Sequence, residues 1–338
     1  MKAILLFCGL VFIISLYAGI PGYHVIKKVQ LGGDDVYWDY LIVDDASRRL
    51  FVSHGTKVMV VNLETDMVVG EINDTPGVHG IALSPEFNRG FISCGQTNTA
   101  VIFDLKTLKV LGQVETGKNP DAIRYDSFTK RVFVYNADSN DATVIDAATG
   151  KIAGTIALGG APEFSRTDGK GKIYVNLEDV NEVVEIDSKV LTVTRRFPIE
   201  PGEEPTGMGF DIANHRIFSA CGNKIMTVLD TETGKVIATV PIGEECDGAG
   251  FDAETGLIFC SNGEGTLTIV QESSPGKFQV VETVPTQNGA RTMTIDPRTH
   301  NVYLPTAQFA PAGMPTPENP NPEMTLVKNS FCVLVVGE

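Results

Sequence analysis

Asp39, His79, Asp121, Glu163, Thr206, Asp247 and Arg291 recur along the chain, each twelve residues ahead of an aromatic residue, or eleven in the fourth case. Four of the seven are carboxylates. If they converge, like charges raise one another's pKa values and favour a cation, a cationic substrate or a counter-ion at their centre. The same residues along a wet channel would only solvate it. Asp121, Glu163 and Asp247 are hard oxygen donors of the kind that suits calcium or another divalent cation. A bound metal could polarise a carbonyl while His79 handles a proton, which is the chemistry of a metal-dependent hydrolase. Arg291 either anchors a substrate carboxylate or neutralises its neighbours.

A second series follows the aromatics: His54, Cys94, Asn136, Leu177, Cys221, Asn262 and Thr306. The imidazoles of His54 and His79 with a Cys94 thiolate would suit copper or zinc. Asn262, which ends the second strand of the sixth unit, joins the ligand-binding candidates. Trp38, the single tryptophan, precedes Asp39 between Tyr37 and Tyr40 and serves either the core or ligand stacking. His24, His215 and His300 fall on an outer strand or in turns away from the candidate ring. The chain has no Gly-x-Ser-x-Gly elbow, His-Glu-x-x-His or Walker loop, and Gly169-Lys170-Gly171-Lys172 reads as a hairpin turn. Asp138-Ser139-Asn140-Asp141 lacks the glycine and distant glutamate of a calcium loop.

What must position these residues is a repeat. The aromatics are Phe51, Phe91, Phe133, Tyr174, Phe218, Phe259 and Tyr303, separated by 40, 42, 41, 44, 41 and 44 residues. That period fits one four-stranded propeller blade. Each unit reads as a short strand, a tight turn such as Asp252-Ala253-Glu254-Thr255-Gly256, the aromatic strand, and a third strand ending in Asp104, Asp146, Asp187 or Asp230. Those aspartates read as turn formers, because Asp accepts backbone N–H groups and the following Gly tolerates positive φ. In the seventh unit the third strand, residues 331–336, ends the chain. Residues 23–31 resemble the fourth strand at 235–243 and are expected to close the ring, burying two exposed edges. Seven sheets about 10 Å apart, with strands about 4.8 Å apart, bring the innermost strands within several Å of the axis. The expected fold class is all-β, a seven-bladed propeller with four-stranded blades.

The Asp-x-x-Thr-Gly-Lys turns, the Gly-x-x-Pro loops and the period of about 42 residues resemble the YVTN-repeat, YncE-like β-propeller family over residues 23–338. Asp296-Pro297-Arg298-Thr299-His300-Asn301-Val302-Tyr303, followed by a Pro-rich insert, resembles a secreted bacterial branch. The resemblance implies a fold, and a role in binding, more than an activity.

Met1 and Lys2 precede an apolar run from Ala3 to Ala18, which reads as a signal peptide over residues 1–18. A periplasmic or extracellular protein follows, with one domain over residues 19–338 and no membrane association after cleavage. The net charge of −15, from 27 basic and 42 acidic residues, argues against nucleic acid as a partner. Five cysteines remain beyond residue 18, an odd number. Cys221 and Cys246, on the expected mouth face, are candidates for a disulfide, with Cys94 and Cys260 reduced and buried. The insert at residues 308–329 carries Pro311, Pro315, Pro317, Pro320 and Pro322 and is expected to cover the same mouth as a semi-rigid lid. Taken together, the residues point to a monomeric propeller binding a small molecule, a cation or a partner protein at an acidic mouth. The alternative is a calcium-dependent, lactonase-like hydrolase using that mouth.

Overall fold

A computed structural model describes residues 22–33, 37–313 and 324–338. The expected signal segment and part of the Pro-rich insert lie outside the described residues. Among those residues, seven four-stranded antiparallel sheets form the blades of a propeller. Blade 1 runs through Leu41–Asp44, Arg49–His54, Lys57–Asn62 and Val68–Ile72, and blades 2 to 6 repeat this meander up to Lys277–Pro285. Blade 7 is composite. Thr294–Ile295, Val302–Thr306 and Cys332–Gly337 are completed by the N-terminal strand His24–Gln30, in the order expected for closure. His24 pairs with Gly337 and Gln30 with Cys332.

The recurring aromatics stand on the second strand of every blade, and Phe51, Phe91, Phe133 and Phe259 are wholly buried. Their burial does not build one central core. Seven hydrophobic clusters form instead, one at each junction between blades. At the junction of blades 1 and 2, for example, Phe51 and Val60 meet Ile92, Val101 and Phe103. The fourth strands are half exposed and alternate, as in Lys235–Pro241, because only one of their faces meets a neighbour.

The turn aspartates behave as their sequence context demands. The backbone N–H groups of Thr107, Thr149 and Thr233 each donate to the Oδ1 of Asp104, Asp146 and Asp230 at 2.8 Å. These bonds hold the carboxyls of Asp104 and Asp230 below the usual range, and for Asp146 the Thr149 hydroxyl acts first. At the axis the requirement is room. A Cβ on Gly207 would come within 2.4 Å of the Ala249 backbone nitrogen, so the first strands of blades 5 and 6 approach this closely only because Gly207 lacks a side chain; a Cβ on Gly248 would in turn meet the Met293 backbone nitrogen of blade 7 at 2.8 Å.

The expected bridge between Cys221 and Cys246 does not form: Cys94, Cys221, Cys246, Cys260 and Cys332 all carry free, buried thiols. The two strand ends share a face, but the side chains enter different seams. Cys221 packs with Ile217 between blades 4 and 5, and Cys246 with Cys260 and Met226 between blades 5 and 6.

Deleting residues 22–31 bares the edge of Cys332–Gly337, so the melting temperature is expected to fall by about 5 °C or more, with association of the exposed edges. A deletion variant that melts like the full chain overturns the closure. Alkylation in denaturant without reductant is expected to label all five of these cysteines, and a peptide linking any two of them would contradict the free thiols.

Candidate functional site

The first strand of a blade runs beside the axis, and its second residue carries the ring position: His79, Asp121, Glu163, Thr206 and Asp247 in blades 2 to 6. In all five blades the pairing register of the first two strands shifts at this point. A bulge there re-aims one side chain and frees backbone groups that need partners. Those partners reach across from adjacent blades. The Ser93 hydroxyl donates to the Asp121 carbonyl, Asn176 Nδ2 to the Thr206 carbonyl at 2.7 Å, and Thr292 Oγ1 to the Asp39 carbonyl at 2.8 Å. Ser93 and Asn176 each stand two residues after a recurring aromatic, a signal the sequence carries but that only the pairing explains.

The ring side chains gather in two groups. On one side, Nδ1 of His79 lies 2.8 Å from Asp39 Oδ2 and 3.3 Å from Asp121 Oδ2. The Tyr37 hydroxyl completes this group at 2.6 Å from the same nitrogen and 3.2 Å from Asp39 Oδ2. On the other side, Arg291 Nε donates to Asp247 Oδ2 at 2.9 Å. Glu163 has no cationic partner among the described residues.

Burial and crowding set the protonation of this ring. Burial, with the charge of Asp39, pushes Asp121 up to about 7 against the opposing pull of His79 and Arg291. Burial and Asp39 likewise push Asp247 up to about 6. Glu163 is raised well above the carboxylate range by burial, then by Asp121 and Asp247. For His79, burial works against the imidazolium, but the hydrogen bond to Asp39 and the charge of Asp121 together outweigh it and raise the pKa. The ring thus holds its own protons where no external cation balances it.

Asp39, His79 and Asp121 offer one ligand atom each within 4.8 Å of one another, and Asp121 Oδ1 is buried without a hydrogen-bond partner. A divalent cation with bonds of about 2.1 Å separates adjacent ligands by about 3 Å, close to the two spacings around His79 Nδ1. A groove of about 390 Å³ leads to His79 past Tyr37, Gly95 and Asn119. Beneath the ring, Tyr40 of blade 1 reaches across the axis to the Phe164 ring of blade 4, with centroids 5.2 Å apart.

The other sequence candidates are placed elsewhere. His54 stacks flat on the Phe331 ring at 3.9 Å, and Cys94 is buried, its thiol pushed up to about 12. The structure therefore does not bring His54 and Cys94 to His79 as a transition-metal set. Trp38 is buried between Phe309 and Phe331, with its indole N–H donating to the Gly289 carbonyl. Thr206 donates to the Cys246 carbonyl, and Asn262 to Thr266 and Thr268. The described part of the insert is a two-stranded ribbon, Phe309–Pro311 against Met324–Leu326. It stands on Trp38 at the seam of blades 7 and 1; residues 314–323, which would carry a lid further, lie outside the described residues. Tyr37 was visible in sequence only as part of an aromatic cluster, and its hydroxyl is a member of the site.

No family model and no curated protein matches the chain. Among solved structures it is similar to Kuenenia stuttgartiensis hydrazine synthase, with a TM-score of 0.70 and 17% identity over 88% of this chain and 97% of that chain. A likeness at this identity shows the fold alone.

The raised carboxyls fix the sign of a pH effect. Between their unfolded value of about 3.9 and their folded values of about 7 and 6, Asp121 and Asp247 bind more protons folded than unfolded. Stability in chelator is therefore expected to fall as pH rises from 5 to 8. The lowered Asp104, Asp146 and Asp230 act only below about 4. Asp121→Asn should flatten the fall and raise the melting temperature at pH 7.5; an unchanged slope would contradict the crowding.

Proposed function

We propose that the protein binds a divalent cation at the axis of its propeller, through Asp39, His79 and Asp121 with Tyr37 beside them. The observation that carries this reading is the convergence of three ligand atoms from blades 1, 2 and 3, one of them from Asp121, whose Oδ1 is buried and unpartnered. Two carboxylates and an imidazole form a mixed oxygen and nitrogen set, which favours zinc or manganese over calcium. The cation takes over the task of the His79 proton: it neutralises Asp39 and Asp121 and lets both ionise at neutral pH. Asp247, paired with Arg291, and Glu163, whose carboxyl is kept protonated above the usual range by burial, stand further round the ring.

Export, supported by the Ala3–Ala18 run, would set this site in the periplasm or outside the cell. A ring completed within one chain supports a monomer. The resemblance to the secreted branch of YVTN-repeat propellers accords with a binding role, and a lactonase-like activity would need the same cation first.

Calorimetric titration of chelator-treated protein with Zn²⁺, Mn²⁺ and Ca²⁺ tests the reading. Zinc or manganese is expected to bind one to one and to raise the melting temperature. Asp39→Asn and Asp121→Asn should each weaken binding by about tenfold or more, since a charged ligand is replaced by a neutral amide. His215→Gln on the opposite face should bind as the wild type does. Equal affinities across all four proteins would leave the ring as channel lining.

A further inference from the structure

A chamber of about 620 Å³ lies not at the carboxylate mouth but behind it, on the other side of the Tyr40–Phe164 contact. Its walls are mostly apolar, with Ile42, Ile81, Ile123, Phe210, Phe251 and Met293 from the first strands or their flanks. Into it project two arginines on neighbouring blades, Arg124 and Arg166. They flank one aromatic ring: the guanidinium carbons lie 5.0 and 4.6 Å from the centroid of Phe164.

Neither arginine forms an ion pair with a carboxylate of the described residues. Arg124 Nη2 donates to the Ser165 carbonyl at 2.9 Å, and Arg166 Nη2 to the Ala249 carbonyl at 3.2 Å. Arg124 Nε is buried with no partner. Burial works against both charges, and the charge of Arg124 adds to the strain on Arg166. A guanidinium keeps its proton in proteins, so the chamber holds two positive charges with most of their donors unspent. The nearest carboxylates of the lining are at the far rim and are otherwise engaged: His300 lies 2.6 Å from Asp252 and 3.4 Å from Glu254. On the blade 6 wall the chamber is lined by the small residues Ala249 and Gly250.

We propose that this chamber is a second ligand site, for an organic anion whose carboxylate, phosphate or sulfonate head is held by Arg124 and Arg166 and whose apolar body fills the walls. The head group supplies the missing counter-charge, and paired guanidiniums match the planar oxygens of such a group. The chamber lies in the size range of sites for compact organic ligands and is apolar with a few convergent polar groups, as those sites are. Entry is from the face opposite the mouth, where the turn residues Ala253 and Pro297 line the opening. The site owes nothing to a cation at the mouth, because Tyr40 and Phe164 stand between them.

The probe is 2-naphthoate, titrated calorimetrically into the full chain in the presence of chelator, with the neutral 2-naphthamide as its uncharged counterpart. Naphthoate is expected to bind at least about tenfold more tightly than the amide, the scale of one charged hydrogen bond. Arg124→Gln and Arg166→Gln should each remove about tenfold of naphthoate affinity and leave the amide unchanged. His215→Gln should alter neither. Both variants relieve a buried, unpaired charge and are expected to melt no lower than the wild type; if either fails to fold, the comparison of the two probes on wild-type protein decides alone. Naphthoate binding no tighter than the amide, or binding unchanged in folded Arg124→Gln and Arg166→Gln proteins, overturns the site.

Discussion

The antiparallel pairing of His24–Gln30 with Cys332–Gly337 is the interaction on which the rest of the molecule depends. It joins the two ends of the described fold and turns a row of seven sheets into a ring. On the far face, Arg48 of blade 1 grips the buried carboxylate of Asp296 in blade 7, with Nη1 2.9 Å from Oδ1, across the same seam. Once the ring is closed, seven first strands must share one axis. Side chains separated by some forty residues along the chain are forced to within a few Å of each other, where unit charges in a partly buried setting interact by several kcal/mol. The electrostatics of the channel are thus a consequence of closure, and would dissolve with it.

The axis separates its charges by sign. Carboxylates and His79 occupy one level, the Tyr40–Phe164 contact the next, and Arg124 and Arg166 the chamber beyond. Had evolution sought only stability, opposite charges at one level would have neutralised each other, or apolar residues would have replaced them at little loss. Arg291 and Asp247 show that such pairing is available within the ring. Keeping the remaining groups apart by an aromatic layer leaves the charges of each level without compensation from the other. Uncompensated charge of this kind is a cost to the fold that a bound ligand would offset.

Much of this was legible in the sequence because a propeller is periodic. Seven aromatics gave the second strands, and a fixed offset from them gave Asp39, His79, Asp121, Glu163, Asp247 and Arg291 as residues of one level. Spacing fixes the level of a residue but not the direction of its side chain. Thr206 and Asn262 share the period, yet bond to a backbone carbonyl and to neighbouring threonines. His54 turns onto Phe331, and Cys221 and Cys246 turn into separate seams. Direction depends on bulges and on inter-blade partners such as Ser93 and Asn176, whose place after the aromatics is regular but whose bonding partners the spacing does not reveal. The arginine pair was hidden for a related reason. Arg124 and Arg166 follow Asp121 and Glu163 by three residues and in sequence read as ordinary strand charges.

Function in such a ring is carried by departures from its repeat. Three residues beyond the ring positions, blades 3 and 4 carry Arg124 and Arg166 while blades 5 and 6 carry Gly209 and Gly250. Two blades thus supply the large cationic side chains of the chamber, while at the same position in the next two Gly209 lets the first strands pack closely and Gly250 lines the wall, an asymmetry that seven identical blades could not produce. The same logic applies at the mouth. Only blades 1 to 3 supply the Asp39–His79–Asp121 constellation, and blade 7 supplies the arginine that balances the other half. A symmetric ring of seven carboxylates would repel itself open or remain protonated; His79 between two aspartates breaks that symmetry and balances their charges within the ring.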